Sequence, residues 1–246
     1  MSLIDKLRHH EPLPRTGQNG HSATTSARTP LHATASSKAA VQAPPTGGRF
    51  SNGLKEFLWQ LEDLGRGNLL DLGQVCQNTL NFFIERNFKV YTEDVLVAWR
   101  EFLDSEEEHA LRKAVGPAGE DNSKVARAER FLTSNLNHKP DSFDAVLLWD
   151  VLDYLDPEMV KLLMQRLSTL VRDGGAVLAI FHTRMPEQFY RYRVLDALNL
   201  DPFQVKAVLP AQHIYQNREI QDLFSRFRTS KTFVARDQLR EIVFAK

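Results

Sequence analysis

FDAVLLWDVLDYLDPEMVKLLMQRLSTLVRDGGAVLAIFH, residues 143–182, carries the reading of the fold. Ala145 to Trp149 is an unbroken apolar run with acidic residues on either side, the pattern of a strand buried on both faces. The helix after it has both ends marked. Asp156 is a good N-cap, Pro157 takes the first helical position, where its missing N–H costs nothing, and Gly174 and Gly175 stop it. AVLAIFH (176–182) is a second all-apolar strand. Two such strands joined by a helix predict a parallel sheet covered on both sides.

Upstream, GLKEFLWQLEDLGRG (53–67) sets Leu54, Phe57, Leu58, Leu61 and Leu64 at helical spacing, with Gly65 and Gly67 as stop signals. NLLDLG (68–73) reads as a short buried strand, QNTLNFFIERN (77–87) as a helix and FKVYTED (88–94) as a strand ending in two carboxylates. The spacing predicts a helix over 95–115, a loop over 116–124, a resumed helix at KVARAERF and a strand at FLTSNLN (131–137). Downstream come YRYRVL, a strand at FQVKAVL (203–209) and a helix at NREIQDLFSRF (217–227). KTFVARD and LREIVFAK are spaced closely enough for an antiparallel hairpin at the sheet edge. The expected class is α/β: a mostly parallel sheet with helices on both faces and an antiparallel C-terminal edge pair.

Composition divides the chain in two. Residues 1–50 have no aromatic residue before Phe50 and are rich in Ser, Thr, Ala, Gly and Pro. Such a segment buries too little apolar surface to offset the entropy of ordering it, so a disordered low-complexity tail is expected, followed by one α/β domain over 51–246. The tail holds six Lys/Arg against two Asp/Glu, net +4, which leaves the remainder at −4 because the whole chain sums to zero. Neither value favours nucleic acid, which calls for a concentrated basic face. In YQNREIQDLFSRFRTSKTF the arginines and phenylalanines invite an RNA-surface reading, but Ile220, Leu223, Phe224 and Phe227 at helical spacing point to core packing. Cys76 is the only cysteine, which excludes an intramolecular disulfide and suits a reducing, cytoplasmic setting. No run reaches the ~20 apolar residues of a membrane span. Leu3, Ile4 and Leu7 share one face of a short N-terminal turn that a protein partner or a membrane surface would accommodate.

The order of elements resembles that of the class I S-adenosylmethionine-dependent methyltransferases, over roughly residues 54–246, and FDAVLLWDVLDYL with the RDGG turn is its most specific part. The resemblance implies a Rossmann-like fold and S-adenosylmethionine as cofactor. In that family the first strand leads into D-x-G-x-G-x-G, where the backbone turns sharply and the ligand approaches without a Cβ in the way. Asp71 and Gly73 match the first two positions, whereas Val75 and Gln77 stand where the later glycines belong. A valine there is costly if the loop needs positive φ, and its methyls would point into the ligand's space. The family's ribose-binding acid corresponds to Glu93, twenty residues after Gly73, with Asp94 beside it. The adenine contact falls to Asn135, with Asn137 as the alternative, and Trp149 ends the strand beside the cofactor.

The family's acceptor site lies beyond the fourth and fifth strands, where Asp150, Asp153, Tyr154 and His182 fall. Methyl transfer needs an in-line acceptor, and a base when that acceptor must lose a proton. WDVL replaces the Asn-Pro-Pro-Tyr type of signature found in many enzymes that methylate amino groups of bases or glutamine. No His/Asp/Glu spacing suggests a metal site. Two functions are compatible with this pattern. One is a methyltransferase for a small-molecule or protein acceptor, and the other is a non-catalytic relative that scaffolds or regulates a partner. A cleft open to Glu93 favours the first, and a cleft filled by Val75, Gln77 or Trp149 favours the second.

Overall fold

The computed structural model describes residues 48–113, 123–235 and 237–246. The tail and its short apolar face lie outside them, as does most of the 116–124 loop. The main sheet has six strands in the order β3 (Phe88–Thr92), β2 (Gly67–Asp71), β4 (Phe143–Trp149), β5 (Val171–His182), β9 (Leu239–Ala245) and β8 (Thr229–Val234). The first four are parallel, and β9 runs antiparallel to both neighbours. This is the Rossmann-like α/β arrangement that the resemblance implies.

Period-2 alternation along the buried strands sends successive side chains to opposite faces. Leu70, Val146, Leu148 and Val177 face one core, shared with α3 (Val95–Lys113), α4 (Lys124–Asn135), α5 (Pro157–Leu170) and α6 (Asn217–Leu223). Leu69, Leu147, Leu178 and Val243 face the other, shared with α1 (Asn52–Gln60) and α2 (Gln77–Ile84). The marked helix is α5, and the Asp156 carboxylate accepts the Met159 N–H at 3.2 Å. Ile220 and Phe224 are buried, as the core reading of that tract requires.

Three expectations change. FLTSNLN is not a strand. Phe131 to Asn135 form the last turns of α4, because Ala128, Phe131 and Leu132 make one buried helical stripe, packed against α5. The sheet therefore ends at β3 on that side among the described residues. The run at 171–182 is strand throughout, with Gly174 at φ 82 inside it, so the helix ends earlier, at Leu170. YRYRVL and the start of FQVKAVL do not join the main sheet. They form β6 (Tyr190–Val194) and β7 (Asn199–Gln204), which pair with β1 (Arg49–Phe50) in a separate antiparallel sheet over α2.

Candidate functional site

The C-terminal ends of β2, β3, β4 and β5 meet where the parallel order requires, and loop backbone stitches them together: Leu72 N–H donates to the Leu147 carbonyl at 2.9 Å and Glu93 N–H to that of Asp71 at 2.8 Å. Asp71 is buried and accepts two hydrogen bonds, from Gly73 N–H at 3.0 Å and from Trp149 Nε1–H at 2.7 Å. Burial pushes its carboxyl up to about 6, against the pull of those two donors. Trp149 holds φ 52, a left-handed backbone uncommon outside glycine, and its indole stacks on buried Tyr192 at 6.0 Å. A Cβ on Gly73 would stand 2.4 Å from that indole, so the glycine is required by Trp149 whether or not a ligand approaches.

Val75 and Gln77 are exposed, and Val75 has no positive φ. The loop therefore enters α2 without a positive φ at Val75, and a β-branched residue there carries no backbone strain. Glu93 is half-buried at the end of β3, and its carboxylate bonds no side chain among the described residues. Burial and then the neighbouring Asp94 raise its pKa. Asp94 accepts the Val97 N–H at the start of α3 and an ion pair from Arg191 at 2.8 Å. Asn135 sits in the last turn of α4 and donates to the Phe131 carbonyl at 3.0 Å, so it does not stand at a strand end.

Beyond β4 and β5, Asp150, Asp153, Tyr154 and His182 come together, all nine-tenths or more buried. Asp153 Oδ2 accepts the His182 backbone N–H at 2.7 Å and lies 2.9 Å from Nδ1, while Nε2 stands 3.9 Å from Asp150 Oδ2. Burial disfavours the charged imidazole, but the bond to Asp153 and the field of Asp150 outweigh it, so the His182 pKa rises. Burial pushes Asp150 up to about 7 despite His182. Four buried polar atoms here bond nothing among the described residues: Asp150 Oδ2, Asp153 Oδ1, the Tyr154 hydroxyl and Arg191 Nε.

The sequence reading missed Arg191 and Tyr192. Alternating aromatic and basic residues in YRYR were a visible signal, but which members turn inward depends on β6 leaving the main sheet. Among the described residues no group of three His, Cys, Asp or Glu is placed to hold a metal ion, and no helix is long and apolar enough to cross a membrane.

These raised carboxyl pKa values make stability depend on pH. The folded protein holds protons on Asp71 and Asp150 that the unfolded chain, near 3.8, releases, so their contribution is intact below about pH 4 and is lost as pH rises through 6 to 7. His182, also raised, acts in the same direction. Urea denaturation should find the native protein less stable at pH 8 than at pH 5, by roughly 2–4 kcal/mol from Asp150 alone. Asp150→Asn should flatten that slope; an equal slope in the variant would exclude Asp150 as its source.

No protein-family model matches the chain, and no curated protein matches it. Solved structures do. An S-adenosylmethionine-dependent methyltransferase from Mesorhizobium loti is 13% identical with a TM-score of 0.44, over 78% of this chain and 96% of that one. The Burkholderia thailandensis 1,6-didemethyltoxoflavin-N1-methyltransferase, solved with S-adenosylhomocysteine, is 16% identical with a TM-score of 0.41, over 79% and 78%. A methyltransferase from Clostridium acetobutylicum is 14% identical with a TM-score of 0.40, over 78% and 90%. These likenesses are distant, and the functional reading rests on the geometry of the site itself.

Proposed function

We propose that this domain is an S-adenosylmethionine-dependent methyltransferase for a small-molecule or protein acceptor. The supporting observation is the group of unbonded buried atoms on Asp150, Asp153, Tyr154 and Arg191. Each costs about 1–3 kcal/mol while unpaired, and a polar occupant removes that cost. The residues fit the cofactor's ribose through Glu93, whose two free oxygens suit a pair of hydroxyl donors.

When bound, the cofactor supplies a sulfonium methyl for in-line transfer. The chain's own residues exclude water and move the acceptor's proton. Asp150, with a pKa near neutrality, suits a general base. His182, whose pKa the bond to Asp153 and the field of Asp150 raise, is the poorer base, and its Nε2 faces Asp150 Oδ2 at 3.9 Å. Asp153 fixes the imidazole through its ring and backbone nitrogens.

Calorimetric titration of the full chain with S-adenosylhomocysteine tests this reading. Binding at tens of micromolar or tighter is expected, about −6 kcal/mol or better. Glu93→Ala should weaken it at least tenfold without moving the urea midpoint, because that carboxylate bonds no side chain in the described fold. Absence of binding by folded protein at millimolar ligand would end the proposal.

A second reading, a non-catalytic relative that serves as a scaffold or regulatory domain for a partner, is favoured by one arrangement: Trp149 fills the approach to Gly73 and Arg191 occupies Asp94. Native protein that fails to bind, together with a Trp149→Gly variant that gains affinity, would carry it.

A further inference from the structure

At the N-terminal end of the parallel strands, opposite Glu93 and Asp150, the turns before β2 and β3 and the first residues of β3, β4 and β5 surround a cleft of about 280 Å³. Arg66, Lys89 and Arg172 line it, with Asp144 as its one carboxylate. Asp144 is buried and already satisfied: Oδ1 pairs with Arg172 at 2.9 Å, and Oδ2 accepts the Asn68 N–H at 2.6 Å. Gly67 permits this, since a Cβ there would stand 2.9 Å from Asp144 Oδ2. The other two cations are uncompensated. The Arg66 guanidinium makes no hydrogen bond or ion pair among the described residues, and the Lys89 ammonium has only the Tyr91 ring, 4.6 Å from its centroid. Asn87, held at φ 64, sets its amide on the same rim.

Three cations thus share one concavity with a single carboxylate, in a body whose formal charge is −4. We propose that this cleft binds a small phosphate-bearing ligand. Guanidinium and ammonium donors converging on one concavity suit a multiply charged oxyanion. The volume, just under the usual range of small-molecule sites, suits a phosphate with a small body attached. The site lies at the opposite end of the sheet from the proposed cofactor site and depends on no part of that proposal.

Calorimetric titration of the full chain with inorganic phosphate and with pyrophosphate, at constant ionic strength, tests it. Saturable one-site binding is expected, weakened at least tenfold in Arg66→Gln/Lys89→Gln and unchanged in Lys55→Gln/Arg218→Gln, a control pair of exposed cations elsewhere. All four residues are exposed, so the variants should fold. Three results would overturn the proposal: no saturable binding at millimolar phosphate or pyrophosphate, an equal loss in the control pair, or binding seen only with an RNA oligonucleotide and growing with its length, which is the mark of a non-specific polyanion surface.

Discussion

Arg49→Ala should lower the unfolding free energy by about 3–5 kcal/mol, read from urea denaturation of the full chain. Arg49 and Glu241 are both buried, and the guanidinium bonds Glu241 Oε1 and Asp237. The other Glu241 oxygen accepts from Ser51 Oγ at 3.0 Å and from Gly53 N–H at 2.6 Å. Those donors are neutral, so without the arginine the carboxylate is left charged and uncompensated in the interior. Arg49→Ala/Glu241→Gln should recover a good part of the loss, because a neutral amide oxygen still accepts from Ser51 and Gly53. A single-variant loss below about 1 kcal/mol would mean that the pair is not the clamp its burial indicates.

Trp149→Ala should cost a similar amount, about 3–5 kcal/mol, as expected for removing a buried indole. Trp149→Phe separates packing from hydrogen bonding. A phenyl ring retains contact with Tyr192 but deprives Asp71 of its Nε1–H donor, and about 1–3 kcal/mol should be lost. That bond favours the charged form of Asp71, so its loss raises the carboxyl pKa further, and the phenylalanine variant should be hurt more at pH 8 than at pH 5. An equal deficit at both values would show that Asp71 does not depend on the indole.

The middle of the fold was legible because its signals are local. Asp156, Pro157 and the apolar run of 145–149 need no knowledge of distant partners. The helix at 124–135 was misread past Phe131 because its second half has too few apolar positions for period 3.6 to stand out from period 2. The second sheet was illegible for a different reason: β1 is two residues long and pairs with β7, some 150 positions further on. Asp71, Glu93, Asp150 and His182 were placed at strand ends by order alone. The positive φ of Trp149 and the reach of Arg191 to Asp94, 97 positions away, have no local sequence signal.

The Arg49 pairing joins residues 192 positions apart, and its partner strand, β9, is held between β5 and β8. Arg49, near the start of the described chain, is thus fastened to an inner strand of the main sheet as well as to its sequence neighbours. The first described residues are thereby anchored to the interior of the main sheet and not to one of its edges.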